Sequence, residues 1–161
     1  MPEKTKEIVI GKDEAVFWLD ANGCWQNENG KFQHKKIIDY FHSCIKRDRQ
    51  GYYLYQENGN HTEKVYFRYE DQVLFVFNVI RQDGVTLVLN TKKQIKLKPR
   101  KLFIKNDSLY MHMGEEIIKF AEQGLMQMAQ FLEEENDQLF IRIQDRRYSI
   151  PAMDAWSDSG G

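Results

Sequence analysis

The chain has 161 residues, of which 42% are hydrophobic, 13% aromatic and 29% charged, and its formal net charge is −1. That length can bury a real core in one domain or two small ones, and the apolar content excludes a wholly disordered chain. Near-neutral charge argues against a non-specific polyanion binder, so nucleic acid is not expected as a partner.

Met1 to Glu7 includes acidic residues, and the apolar run Ile8-Val9-Ile10 is too short for the core of a signal peptide. No apolar run reaches membrane-spanning length, so the expectation is a cytoplasmic protein without a membrane partner. Residues 1–12 read as a frayed or extended lead-in. Val16-Phe17-Trp18-Leu19 and Gly23-Cys24-Trp25 flank a tight turn at Asp20-Ala21-Asn22, where Asn22-Gly23 tolerates positive φ, and predict a hairpin. Gln26 to Gly30 is polar and reads as a loop.

From Phe32 to Arg47 the apolar residues Ile37, Ile38, Phe41, Cys44 and Ile45 recur at spacings of three and four and predict an amphipathic helix ended by Gly51. Tyr52 to Tyr55 and Lys64 to Tyr69 predict strands joined through Asn58-Gly59. Val73 to Val79 is an almost wholly apolar run suited to a strand buried on both faces. Val85 to Leu89 follows across Gln82-Asp83-Gly84. Lys92 to Lys101 interleaves six basic residues with Ile95 and Leu97 around Pro99. That pattern reads as an edge strand with protective charge, or a linker, and the absence of aromatics weighs against a base-stacking platform.

Leu102-Phe103-Ile104, a turn at Lys105-Asn106-Asp107 and Leu109-Tyr110-Met111 predict a further hairpin. Glu115 to Glu134 predicts a helix with Ile118, Leu125, Met128 and Leu132 inward and Gly124 as a weak point. Leu139 to Ile143 and Arg147 to Ile150 predict a closing hairpin through Gln144-Asp145-Arg146, and 154–161 a disordered tail.

The late elements repeat the early ones. An offset of 87 residues brings Ile38 onto Leu125, Phe41 onto Met128, Ile45 onto Leu132, Tyr52 onto Leu139 and Leu54 onto Ile141, and an offset of 85 aligns the first hairpins. The expected fold class is α+β. It consists of two similar hairpin, helix, hairpin units with mainly antiparallel strands, each sheet packed on one helix. The expected division is a first repeat at 13–90, the basic stretch at 91–101 and a second repeat at 102–153.

The motif Trp18-Leu19-Asp20-Ala21-Asn22-Gly23-Cys24-Trp25, followed by the helical segment Lys35 to Lys46, Gly51-Tyr52-Tyr53-Leu54, Glu63-Lys64-Val65 and Glu70-Asp71, resembles a bacterial family known only as domain of unknown function 1285. The resemblance covers about Val16 to Val79 in motifs and the rest by layout. It implies a duplicated α+β fold whose second half is superficially similar to pleckstrin-homology-like barrels. It also implies a nucleotide-like ligand between the halves and a role in signal transduction, with no established activity.

The candidate ligand-binding residues are Trp25, Tyr53, Glu63, Lys64, Arg68 and Asp71. Lys64 and Arg68 could meet a phosphate by charge-assisted hydrogen bonds, with Trp25 or Tyr53 stacking on a base. The competing reading is a solvated strand face with weak cross-strand ion pairs. His34, His42, His61 and His112 lack metal-type spacing, and Cys24 and Cys44 read as free thiols, so no metal or cofactor is expected. No catalytic set stands out, and the reading leans away from an enzyme. A protein partner or homo-oligomer formed through strand edges or the aromatic face of Trp25, Tyr53 and Tyr55 is the alternative to a small ligand.

Overall fold

Alternating and β-branched sequence carries most of this chain into strands. The computed structural model describes residues 6–153, and among them run eighteen strands and two short α-helices, with mainly antiparallel pairing. The predicted tail at 154–161 lies outside the described residues. The chain divides into two compact units between Val73 and Leu74.

The first unit contains β1 (Lys6–Ile10), β2 (Phe17–Leu19), β3 (Trp25–Asn27), β4 (Gly30–Lys31), α1 (Lys35–Ser43), β5 (Ile45–Asp48), β6 (Gly51–Asn58), β7 (His61–Tyr66) and β8 (Arg68–Tyr69). They form two four-stranded sheets, ordered β1-β7-β6-β5 and β4-β3-β2-β8. β1 lies parallel to β7, and β8 parallel to β2. The chain crosses from one sheet to the other at Phe67, which is buried between β7 and β8.

The lead-in is extended from Lys6 onward, as a strand whose backbone completes the ladder of β7. Two expectations for this unit need correction. Gln26 to Gly30 contributes to β3 and β4 rather than forming a loop. The helix predicted to Arg47 is α1 alone. The Cys44 carbonyl accepts a hydrogen bond from the Tyr55 N–H at 2.9 Å, and Ile45 to Asp48 pair with Gly51 to Leu54. A hairpin turn takes over, with the Asp48 carboxylate accepting from the Gln50 N–H at 2.9 Å and Gly51 at φ +124°. The core here is aromatic. Phe17, Phe41 and Phe67 surround Trp25 with ring centroids 5.0 to 5.8 Å away.

The second unit contains β9 (Leu74–Arg81), β10 (Val85–Leu89), β11 (Gln94–Lys96), β12 (Leu102–Lys105), β13 (Ser108–Met113), β14 (Glu116–Phe120), α2 (Glu122–Met128), β15 (Leu132–Glu135), β16 (Gln138–Ile143), β17 (Arg146–Ile150) and β18 (Ala152–Met153). Single 3-10 turns span Pro99–Lys101 and Ala129–Phe131. The seven-stranded sheet runs β11-β10-β9-β14-β13-β12-β18, and β15-β16-β17 form a second sheet. One apolar core joins them, with Val76, Leu87, Leu109, Ile118, Met128 and Ile141 at its centre.

The apolar run near Val73 is β9, buried on both faces at Leu74, Phe75 and Val76. Its ladder partners are β10 and β14, so β9 and β10 belong to the second unit rather than to a first repeat ending at residue 90. The helix predicted from Glu115 to Glu134 is also corrected. Ile117 and Ile118 are β-branched, and β14 is held between β13 and β9, which leaves only Glu122–Met128 helical. Gly124 is a packing requirement rather than a weak point, since a Cβ there would stand 2.4 Å from the Val76 carbonyl oxygen. Leu132 to Glu135 leave the helical path and pair with β16.

Two series of elements share one order. β2-β3-β4, α1, β5-β6-β7 and β8 in the first unit match β12-β13-β14, α2, β15-β16-β17 and β18 in the second. In each, the last strand returns parallel to the first. Ile45 pairs with Leu54, and Leu132 with Ile141, at a constant offset of 87 residues.

Candidate functional site

Strand alternation separates the charged residues of β7, sending Glu63 and Lys64 to opposite faces. Glu63 lies 3.7 Å from His61. Lys64 stands 3.6 Å from both Glu7 and Asp48, with its ammonium 4.9 Å from the centroid of the Tyr53 ring. The Tyr66 hydroxyl donates to Asp48 at 2.6 Å, and the Tyr53 and Tyr66 rings lie 5.3 Å apart.

The electrostatics follow from these contacts. The Tyr66 hydroxyl, then its neighbours Gln50 N–H and Lys64, outweigh burial and hold Asp48 below the usual carboxylate range. The same hydrogen bond to Asp48 pushes Tyr66 up to about 12. Burial pulls Lys64 down, but Tyr53, Glu7 and Asp48 together hold it above its ordinary value. Lys64 is therefore committed to its protein neighbours.

The other candidates do not join this cluster. Trp25 is only 1% exposed, and its indole N–H donates to His42 Nδ1 at 3.1 Å, so it cannot stack on a ligand. This corrects its assignment as a stacking platform. Tyr53 is 8% exposed beneath Lys64. Asp71 lies half-buried past β8. Its neighbour Glu70 accepts a hydrogen bond from the Ala21 N–H at 2.8 Å, which ties β8 to the first turn. Arg68 is exposed and faces a different groove.

That groove is built by β2, β3 and β8. Leu19 is fully buried, so alternation turns Trp18 outward, and parallel pairing sets Arg68 opposite Trp18. The turn after β3 supplies Asn27, Glu28 and Asn29, with the Asn27 side-chain oxygen accepting from the Asn29 N–H at 2.8 Å. Together with Ala15 and Val16 these residues enclose about 460 Å³. Among the described residues Trp18 makes no ring contact and Arg68 no ion pair. Sequence reasoning singled out Arg68 and missed Trp18. The continuous apolar run Val16 to Leu19 hid the alternation that would have marked it.

Both cysteines are free, Cys44 buried and Cys24 half-buried. Burial and then Asp20 push the Cys24 thiol up despite Lys31, which disfavours a reactive thiolate. Among the described residues no group of three or more His, Cys, Asp and Glu is arranged to hold a metal ion, and no helix is long and apolar enough to cross a membrane.

No family model and no curated protein matches the sequence. Among solved structures, the fold is similar to a DUF1285 family protein from Silicibacter pomeroyi DSS-3, at 12% identity and a TM-score of 0.57 over 92% of this chain and 87% of that one. A DUF1285 family protein from Shewanella baltica OS155 gives 15% identity and a TM-score of 0.49 over 71% of this chain and 91% of that one. The first likeness is one of fold, and it supports the DUF1285-like resemblance carried by the Trp18 to Trp25 motif.

Proposed function

We propose that the chain is a cytosolic, non-enzymatic binding or sensing module whose first unit takes a nucleotide-like ligand in the groove of Trp18 and Arg68. The observation that carries this reading is the side-by-side placement of an outward indole and an exposed guanidinium, neither engaged by the described protein. Stacking of a base on an aromatic ring is worth about 1–3 kcal/mol and tolerates different bases. A guanidinium meets phosphate oxygens with two parallel hydrogen bonds. The amides of Asn27 and Asn29 and the Glu28 carboxylate offer both donors and acceptors to a base edge. The volume falls within the range of small-ligand sites. A role in signalling belongs to this proposal.

The same reading includes an internal duplication. It is supported by the shared element order, by the constant register of the β5-β6 and β15-β16 hairpins, and by a recurring side-chain cluster. Lys64, Tyr53 and Asp48 in the first series find counterparts in Arg147, Phe140 and Glu135 in the second.

A thermal-shift screen against purine and pyrimidine nucleotides tests the ligand. A compound at 100 times its Kd stabilises the folded state by about 2.7 kcal/mol. The expected result is a shift with nucleotides that disappears in Trp18→Ala and Arg68→Ala. No shift with any nucleotide, or a shift that survives both substitutions, contradicts the proposal.

A second reading rests on the outer edge of β1, which pairs with no further strand among the described residues, and on Val9, which is 56% exposed there. A second copy could extend that sheet by strand addition. Sizing of the protein and of Val9→Lys separates the two readings: a dimer lost in the variant favours strand addition, and a monomer in both rejects it.

A further inference from the structure

We propose a second binding site, in the second unit, for a phosphate-bearing anion. A groove of about 520 Å³ is lined by Arg100, Arg146, Arg147, Tyr148 and Ser149, and among the described residues no carboxylate lines it. Arg100 comes from the 3-10 turn Pro99–Lys101 and the others from β17, so two separate elements bring the guanidinium groups to one place.

The three arginines are not equivalent. Arg147 pairs with Glu135 and lies 3.6 Å from Glu133, and its guanidinium carbon sits 3.6 Å from the centroid of the Phe140 ring, so its charge is largely answered within the protein. Arg100 lies 5.2 Å from the Tyr148 ring centroid, which orients its side chain without neutralising it. Among the described residues neither Arg100 nor Arg146 forms an ion pair. Two uncompensated guanidinium groups on one groove repel each other unless an anion lies between them. Their planar, multi-donor forks match the oxygens of phosphate, and the Ser149 hydroxyl can add a donor. Lys98 and Lys101, flanking Arg100 in sequence, raise the local positive potential.

Comparison of the two series gives an independent argument, which rests on the duplication inferred above. Ile141 pairs with Tyr148 as Leu54 pairs with Val65, so Arg146 stands where the first series has Glu63, and Arg147 where it has Lys64. The first series builds the same three-stranded meander with an acid at the position of Arg146. The fold does not require that arginine, so its charge is available for ligand recognition.

Pyrophosphate is the soluble probe, titrated into the full chain by calorimetry at low and high salt. Phosphatidylcholine vesicles doped with phosphatidic acid present the same chemistry as a lipid headgroup. Arg100→Gln/Arg146→Gln, two exposed positions, is the test variant, with its fold checked by circular dichroism. The expected result is binding that weakens with salt and falls about tenfold or more in the variant. Binding of pyrophosphate identifies a soluble ligand, and binding of vesicles alone identifies a headgroup. No binding to either probe, or binding unchanged in the variant, overturns the proposal. The Trp18 groove stands or falls separately, because neither arginine contributes to it.

Discussion

The guanidinium carbon of Arg147 lies 3.6 Å from the centroid of the Phe140 ring, and 87 residues earlier Tyr53 is covered in the same way by Lys64 at 4.9 Å. Each cation also pairs with a carboxylate at the end of the strand that precedes the ring's strand, Glu135 on β15 or Asp48 on β5. The recurrence points to a structural role. Substituting Lys64→Ala should lower thermal stability slightly while leaving nucleotide binding unchanged. Arg147→Met should cost about 0.5–1 kcal/mol, the worth of an exposed cation on a ring, measured by urea denaturation.

The hydrogen bond from Tyr66 to Asp48 makes stability depend on pH at both ends. Tyr66 rises from 10.0 to about 12 on folding, so its contribution is complete below pH 10 and is lost as pH rises from 10 towards 12. Asp48 is lowered from 3.8, so its contribution is present above that value and is lost as pH falls through the lower folded value. Urea denaturation across pH should show both limbs. In Tyr66→Phe the alkaline limb should flatten and the acid limb weaken.

Gly124 lets α2 approach β9 closely enough for the Val76 carbonyl to occupy the space a methyl group would need. Alanine favours helix by about 1 kcal/mol, but the clash is with backbone and forces α2 away from the sheet. Gly124→Ala should therefore destabilise by about 1–3 kcal/mol, the usual cost of overpacking. A neutral or stabilising effect would show that α2 can shift freely.

Asp20, 3% exposed, accepts hydrogen bonds from the backbone N–H groups of Asn22 and Cys24, both at 2.9 Å, and from the Gln26 side chain. Removing the carboxylate strands these donors. Asp20→Ala should cost about 2–3 kcal/mol by urea denaturation, and Asp20→Asn, which retains an acceptor for the backbone pair, should recover most of the loss.

Turn chemistry and apolar runs were the most legible features of the sequence. Gly59, Asp83-Gly84 and Asn106-Asp107 close hairpins with positive φ because their residues tolerate that conformation. The helices were overextended, because Ile45, Leu132 and their neighbours satisfy helical spacing while their backbones are claimed by the next strand of a hairpin, Ile45 by Leu54 and Leu132 by Ile141. Strand pairing also decided the fate of the candidate residues. Trp25 and Tyr53 are inward, Lys64 is answered by Asp48 and Glu7, and Arg68 gains Trp18 as a neighbour only through the parallel β2-β8 pair.

The most direct test of the nucleotide-binding proposal is a tryptophan-fluorescence titration with a nucleotide, comparing the full chain with Trp18→Phe. Trp25 is buried and bonded to His42, and the third tryptophan, Trp156, is replaced by Phe in every protein compared, so emission that responds to a ligand in the groove should come from Trp18. The expected result is saturable quenching in the full chain, its loss in Trp18→Phe, and about tenfold weaker apparent affinity in Arg68→Gln, the size of one charge-assisted hydrogen bond. Absence of quenching, or quenching that persists undiminished in Trp18→Phe, would contradict it.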